Sequence, residues 1–92
     1  MMKTQAEIAK TWKEKGFSCG LWVDPPGQRW ENYRHDTDEL IYVLEGMIEL
    51  EVSGRKRLLQ ARDEALIPAR ANHSVRNMGS TESRWLYGYR SR

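Results

Sequence analysis

The sequence predicts an all-β antiparallel sandwich or barrel that follows one short helix, and three observations support this expectation. The chain has 92 residues, 39% of them hydrophobic, which is enough for one compact domain with a core. Residues 1–16 carry helical periodicity, and from residue 17 onward short alternating stretches are separated by turn signals. We therefore expect one domain over residues 1–92, made of a helical segment over 1–16 and a β-barrel over 17–92.

The helix is predicted by its capping residues and its apolar face. Thr4 and Glu7 have the spacing of a capping box, in which each side chain bonds the backbone N–H of the other residue. Ile8 and Trp12 then lie on one face, and Gly16 supplies a stop. A helix this short is not stable alone, so its apolar face is expected to pack on the rest of the chain or on a partner chain.

The strands are predicted by a period of two in the apolar residues. They are expected over residues 17–23, 30–35, 39–44, 47–52, 57–60, 65–67, 74–77 and 84–89. The run from Pro25 to Gly27 ends the first strand, and Ser53 with Gly54 predicts a tight hairpin because glycine accepts positive φ. Short strands at this spacing favour an antiparallel sandwich or barrel.

Composition and charge exclude several classes of protein. Charged residues make up 30% of the chain, and no apolar run approaches the roughly 20 residues of a membrane helix, so we expect no membrane span. The polar N-terminus lacks the apolar stretch of a secretory signal, which predicts a cytoplasmic protein. The net charge of +2 gives no reason to expect a nucleic-acid partner, and a single cysteine, Cys19, excludes an intramolecular disulfide.

Two histidines and one glutamate are the candidate metal ligands. His35 and His73 are the only histidines, and each lies in a predicted strand or at its end. Glu39 follows His35 after a polar stretch suited to a tight turn, so both side chains can converge from neighbouring strands. Two imidazoles and one carboxylate hold a divalent transition metal with coordination positions left open. Each of the three residues taken alone also has an ordinary structural or surface explanation.

The first half of the chain contains a segment that resembles the first cupin motif, G-x5-H-x-H-x3-E-x6-G. Gly27, His35, Glu39 and Gly46 stand at the spacings of that motif, and Tyr33 stands where the motif has its first histidine.

A second segment resembles the second cupin motif, G-x5-P-x-G-x2-H-x3-N. Pro68, His73 and Asn77 match it, whereas Arg62 and Arg70 stand where the motif has glycines. The two motifs and the stretch between them fall within residues 27–77. The chain thus resembles small single-domain cupins of the conserved-barrel type.

The resemblance implies a double-stranded β-helix, the jelly-roll or cupin barrel, with a short N-terminal helix. It also implies that His35, Glu39 and His73 bind a divalent metal ion such as iron, manganese, nickel or zinc. Tyr33 takes the fourth ligand position, but a phenol ligates only as phenolate and its ordinary pKa is about 10. We therefore expect Tyr33 to face the cavity as a catalytic acid or a substrate-binding hydroxyl, while a role as a core aromatic stays open.

The departures from the motif raise three structural questions. If Arg62 and Arg70 keep the positive φ of the glycines, each arginine destabilises its turn by about 1 kcal/mol. Otherwise the turns differ from those of the motif. Near Arg70, Asn72 could then take the left-handed conformation, which asparagine tolerates better than most residues. Arg70 and Asn77 are candidate ligand-binding residues, and the Asn77 amide either orients a ligand or caps the following turn.

The strand over residues 30–35 raises a further question. If it is regular, Trp30 faces away from Tyr33 and His35, because alternate residues of a strand point to opposite faces.

Three functions remain open at this stage, and the sequence does not decide whether the protein is an enzyme. The first is a metal-dependent cupin acting on a small molecule, including an anionic one. The second is a non-catalytic small-ligand-binding or sensor cupin without a functional metal, in which Arg62, Arg70 and Arg76 pair with an anion. The third is a structural barrel. A homodimer joined through residues 17–23 is expected under all three.

Overall fold

The computed structural model describes residues 3–91, so residues 1, 2 and 92 of the predicted domain lie outside the described residues. Its elements are helix α1 (Gln5–Glu14) and the strands β1 (Gly20–Asp24), β2 (Arg29–Tyr33), β3 (Glu39–Glu45), β4 (Met47–Val52), β5 (Arg55–Gln60), β6 (Glu64–Ile67), β7 (His73–Asn77) and β8 (Ser83–Tyr89). The predicted helix and the predicted strands are therefore present. The first strand begins at Gly20, because Phe17 makes only an isolated bridge with Arg90.

The strands form two antiparallel sheets of four. One sheet has the order β1-β8-β3-β6 and the other has the order β2-β7-β4-β5. Within residues 3–91 no strand pairing joins the two sheets, so the expected barrel is not closed and the prediction was wrong in this respect. Sheets packed face to face stand roughly 10 Å apart, which is too far for backbone hydrogen bonds between them.

The main core lies between the two sheets. It combines buried aliphatic side chains from both layers, with Trp85 at one end: Ile41, Val43, Ile48, Leu50, Leu59, Ala65, Ile67 and Val75. Alternate residues of each strand supply these side chains, as the period of two predicted. Burying one such side chain contributes roughly 1.5–3 kcal/mol relative to leaving it exposed, so this layer holds the sheets together.

Helix α1 covers the outer face of the sheet that contains β3 and β8. Its capping box is formed, with Thr4 and Glu7 bonded to each other's backbone N–H at 3.0 and 3.1 Å. Ile8 and Trp12 are buried in a second cluster with side chains of β3 and β8, and a Cβ on Gly88 would lie only 2.9 Å from the Trp12 ring. The helix therefore packs on its own chain, and glycine at position 88 permits the close approach.

The two turns of the second motif have positive φ at the positions where the motif has glycine. Arg62 has φ 78° and Arg70 has φ 67°, whereas Asn72 is not among the residues with positive φ. Each arginine is the third residue of a four-residue turn, closed by the bonds from Asp63 N to Gln60 O (2.9 Å) and from Ala71 N to Pro68 O (3.2 Å). Positive φ at that position is the mark of a type II turn. Both arginines therefore keep the positive φ of the glycines, and the turns do not differ from those of the motif in this respect.

The structure described for residues 3–91 contains no helix with the length and apolar character that crossing a membrane requires.

Candidate metal centre

The three predicted metal ligands come from three places in the fold and meet at one end of the space between the sheets. His35 lies just after β2, Glu39 opens β3 and His73 opens β7. Glu39 and His73 are buried, and the side chain of His35 keeps 28% of its exposure. Their candidate ligand atoms all lie within 4.8 Å of one another.

The ligand atoms converge on a shared point. Glu39 Oε1 lies 3.2 Å from His35 Nε2 and 3.5 Å from His73 Nε2. Although these contacts are close, no hydrogen-bond donor to this buried oxygen is present among residues 3–91. Two nitrogens and one oxygen arranged in this way form an acceptor-rich pocket for a cation.

The backbone fixes the tautomer of His73. Its Nδ1 lies 3.1 Å from the carbonyl oxygen of Ala71, which can only accept, so Nδ1 carries the proton. In the neutral ring, Nε2 then faces Glu39 with its lone pair, as a metal ligand must.

The protonation of His73 follows the same arrangement. Burial is the largest influence on the pKa of His73 and lowers it, but contact with Glu39, the bond to Ala71 and the Glu39 charge together raise the pKa above its usual value. The ring thus takes up a proton more readily than a free histidine, because a cation is favoured at this point.

The loop before β7 ties the ligands together. The N–H of Arg70 donates to the carbonyl oxygen of His35 at 2.6 Å, and the N–H of Ala69 donates to Asp38 Oδ1 at 2.8 Å. These bonds connect the loop that carries His73 with the segment between His35 and Glu39. Arg70 acts here through its backbone, and its side chain is exposed and does not line the cavity.

A cavity of about 410 Å³ opens beside the three ligands. Its wall is aromatic, because apart from His35, Glu39, His73 and Val75 it is formed only by tryptophan and tyrosine: Trp22, Trp30, Tyr33, Trp85, Tyr87 and Tyr89. The volume falls in the range of small-molecule sites, roughly 300–1,000 Å³. Tyr33 lines this cavity, with its ring centroid 6.5 Å from that of His73.

The expectation that Trp30 faces away from Tyr33 was wrong, because β2 is not regular. The register shifts between Trp30 and Tyr33, where three steps along β2 match the two steps from Val75 to His73 on β7. Asn32 has φ 60° at this bulge. One extra residue returns the strand to the same face, so both aromatic rings line the cavity.

The other residues considered for ligand binding lie away from the cavity. The Asn77 amide donates to the carbonyl oxygens of Pro25 and Thr81, each at 3.0 Å, and accepts from Gly79 N–H at 3.0 Å. Asn77 thus caps the turn that follows it, which is the alternative role named above.

Arg76 is fully engaged on the outer face of its sheet. It contacts three carboxylates, Glu31 at 2.7 Å, Glu49 at 2.8 Å and Glu51 at 2.9 Å. Arg62 lies in an exposed turn outside the cavity lining. Among the described residues, no lysine or arginine lines the cavity, so it offers no cationic side chain to an anion.

Sequence reasoning missed the carboxylate that organises the aromatic wall. Asp24, at the end of β1, is only 1% exposed and accepts hydrogen bonds from three indoles, those of Trp22, Trp30 and Trp85. The sequence indicates only that Trp85 and Tyr87, two residues apart in the last strand, share one face of that strand. Nothing in the spacing linked them to Asp24.

The ring of Tyr89 lies close to that of His35, with ring centroids 4.9 Å apart. Burial, then the charge of Glu39, then Tyr87 raise the pKa of Tyr89 to about 12. Its phenol therefore stays protonated at neutral pH. Cys19 lies on the helix side of its sheet, where burial raises the pKa of the thiol and makes it a poor nucleophile.

Comparison with known proteins agrees with this architecture. A family model described as the cupin domain matches residues 20–89. The chain belongs to the cupin family. His35, Glu39 and His73, which the sequence resemblance implies as metal ligands, form the candidate metal-binding cluster of the structure, and Tyr33 lines the cavity beside them.

A curated protein is similar to this chain over most of its length. A protein named polyketide synthase CurC from Streptomyces cyaneus is 36% identical over 73 residues, which cover 78% of this chain and 47% of that protein. This chain thus spans about half the length of that curated relative.

Solved structures show the same fold at low sequence identity. The cupin domain of Cnp3 from Schizosaccharomyces pombe has a TM-score of 0.78 at 18% identity and covers 100% of this chain and 61% of that one. An oxalate oxidase in complex with the substrate analogue glycolate has a TM-score of 0.76 at 22% identity and covers 84% of this chain and 43% of that one.

The donor set of this cupin suits a metal ion on structural grounds. The buried oxygen of Glu39 lacks a donor and lies next to His73 Nε2, which carries a lone pair in the neutral ring. His35 Nε2 lies 3.2 Å from the same oxygen. Two imidazole nitrogens with one carboxylate form the facial set of first-row divalent metals and leave positions open for substrate.

Proposed function

We propose that this cupin binds a divalent transition metal through His35, Glu39 and His73 and acts on, or binds, a small molecule in the adjoining cavity. The observation that carries the proposal is the buried Glu39 Oε1 without a donor, 3.2 and 3.5 Å from the two histidine nitrogens. Such an oxygen costs about 1–3 kcal/mol when unsatisfied, and a bound cation removes that cost.

Each group at the site has a defined part in this proposal. His35, Glu39 and His73 would hold the metal, which would supply Lewis acidity at the end of the cavity. The Ala71 carbonyl keeps His73 Nε2 directed at the site, and Tyr33 and Tyr89 line the cavity. The aromatic wall gives the cavity an apolar lining beside the ligands.

The similarity to polyketide synthase CurC supports a substrate of the polyketide class. Neighbouring carbonyl and hydroxyl oxygens in such molecules are suited to chelating a divalent metal at its open positions. Because no lysine or arginine among residues 3–91 lines the cavity, an anionic substrate would depend on the metal for its charge partner.

Metal titration tests the metal-binding part of this proposal. Chelator-treated protein is titrated calorimetrically with Mn²⁺, Ni²⁺, Zn²⁺ and, without oxygen, Fe²⁺, and elemental analysis follows dialysis. We expect one ion per chain in the native protein and none in His73→Ala. Glu45→Gln is the control, since Glu45 is an exposed carboxylate 3.8 Å from Arg84 and away from the site. Failure of all four ions to bind would refute metal-dependent function.

A non-catalytic ligand-binding or sensor role is the alternative. It is favoured by Tyr33, which leaves three protein ligands where the family motif supplies four. In that case small molecules should stabilise the metal-free protein and emerge unchanged after incubation with the metal-loaded protein. Product formation detected by mass spectrometry would instead identify an enzyme.

We also propose a homodimer and a cytoplasmic location. β1 is an edge strand, and Trp22 and Val23 on it are 40% and 39% exposed, which leaves this edge able to meet a second copy. Phe17, in contrast, is buried under helix α1, so the contact would involve the later part of residues 17–23. Light scattering tests the dimer, and a monomeric mass would refute it; cell fractionation tests the location.

A further inference from the structure

Three indole N–H groups converge on one buried carboxylate. Asp24 Oδ1 accepts from Trp22 Nε1 at 2.7 Å and from Trp30 Nε1 at 3.0 Å. Asp24 Oδ2 accepts from Trp85 Nε1 at 3.0 Å. The three tryptophans come from β1, β2 and β8, so a single side chain ties together strands of both sheets.

This arrangement determines which surface the indoles present to the cavity. An indole has one polar hydrogen, and each of the three is used by Asp24, which does not itself line the cavity. The rings therefore turn their polar edge away from the cavity and offer carbon edges and π-faces to any occupant. A buried carboxylate is costly without donors, and three charge-assisted bonds remove most of that cost and hold the rings in place.

The aromatic wall is continuous from the tryptophans to the metal site. Trp22 meets Trp30 edge-on at 5.4 Å and Tyr87 at 6.2 Å between ring centroids. Tyr87 meets Tyr89 at 6.0 Å, and Tyr89 meets His35 at 4.9 Å. A molecule that lies along this wall thus has one end at the tryptophans and the other beside the ligands His35, Glu39 and His73.

The charge and size of the cavity limit the occupant. No lysine or arginine among the described residues lines it, so the wall does not select an anion. Its volume of about 410 Å³ accommodates fused rings and exceeds what a single methylated ammonium group fills. Aromatic rings pair with other planar rings through edge and face contacts worth about 0.5–1.5 kcal/mol beyond burial alone.

We propose that Asp24 is a positioning residue that holds three indoles as a wall for the planar, unsaturated ring portion of the small molecule. The inference rests on the proposed function in placing the oxygens of that molecule at the metal site. The wall itself does not depend on the metal, and the two can be tested separately.

The probes are 2-naphthol, its saturated analogue decahydro-2-naphthol and tetramethylammonium, each titrated calorimetrically into chelator-treated protein. We expect 2-naphthol to bind at least about tenfold more tightly than the saturated alcohol, which corresponds to one or two aromatic contacts. Equal affinity for the two alcohols, or binding of tetramethylammonium alone, would overturn the proposal.

The role of Asp24 is tested with Asp24→Asn, whose amide nitrogen cannot accept from an indole. We expect 2-naphthol affinity to fall about three- to tenfold. Two-dimensional ¹⁵N–¹H spectra should show the indole signals of Trp22, Trp30 and Trp85 moving, because a charged acceptor is lost. The matched control is Glu64→Gln, since Glu64 Oε1 accepts from Trp12 Nε1 at 3.0 Å outside the cavity. It should move the Trp12 signal alone and leave 2-naphthol affinity unchanged.

A folded Asp24→Asn protein with native affinity for 2-naphthol would refute the positioning role. If that variant does not fold, Trp22→Phe replaces it, because Trp22 is 40% exposed and phenylalanine supplies a smaller aromatic ring that has no N–H for Asp24. It should weaken 2-naphthol binding, and native affinity there would again refute the role. Metal binding without 2-naphthol binding overturns this inference alone, whereas 2-naphthol binding without metal binding overturns the proposed function alone.

Discussion

Replacing Glu39 with glutamine should make the metal-free protein more stable while removing its response to metal. Glu39 Oε1 is buried without a donor, and His73 Nε2 faces it with a lone pair. In Glu39→Gln the side-chain amide supplies an N–H that can donate to this nitrogen. Relief of one unsatisfied buried acceptor is worth about 1–3 kcal/mol.

The melting temperature measures this gain directly. For a domain of this size, 1 kcal/mol shifts the melting temperature by about 4–8 °C, so Glu39→Gln should melt at least about 4 °C higher in chelator at pH 8.5. The alkaline pH favours the neutral form of His73, in which the acceptors remain unpaired.

With metal present, the native protein should have the higher melting temperature and Glu39→Gln the lower one. At a metal concentration 100 times Kd, the native protein gains about 2.7 kcal/mol, or roughly 10–20 °C, whereas the variant lacks the anionic ligand and should gain little. Glu45→Gln, at an exposed site, should behave as the native protein does in both conditions. The reasoning would be refuted by a metal-free Glu39→Gln protein that melts below the native one, or by an undiminished metal shift.

Three further predictions concern single groups. The raised pKa of His73 means that its contribution to stability is fully present below the unfolded pKa of about 6.5 and is lost as the pH rises through the folded pKa. The metal-free native protein should therefore lose more melting temperature between pH 6 and pH 8.5 than Glu39→Gln does, and parallel profiles would contradict this. Tyr33→Phe should keep metal affinity within about twofold by equilibrium dialysis, because a phenol ligates only as phenolate and we expect Tyr33 not to be a ligand; a tenfold loss would make it one. Arg62→Gly should exceed Arg62→Ala in urea stability by about 1 kcal/mol, since only glycine relieves the positive φ of 78°; equal midpoints would argue against strain there.

Much of the fold and the ligand set could be predicted because they depend on spacing along the chain. The period of two located the strands. His35 and Glu39 are separated only by the short turn between β2 and β3, so their proximity follows from the sequence. The convergence with His73 followed only from the resemblance, because separation along the sequence does not specify which strands face each other.

The remaining features depend on local backbone geometry or on tertiary contacts. The bulge at Asn32 puts Trp30 on the same face as Tyr33, and no residue type at this point predicts a bulge from the sequence alone. Arg76 could be expected to bind an anion until the pairing of β7 with β4 placed Glu49 and Glu51 beside it. The Asp24 cluster joins positions up to 61 residues apart, and alternation within one strand carries no information on such a contact.

The bulge in β2 makes the lining of this cavity depend on one irregularity of the backbone. If β2 paired regularly at its present length, Glu31 rather than Trp30 would share the face of Tyr33 by simple parity. Deletion of Asn32 would remove the bulge but leave Trp30 two positions before Tyr33, so both rings would still point to the same side. Related barrels that have the same length here but lack the bulge are therefore expected to present an acidic residue in place of an aromatic one.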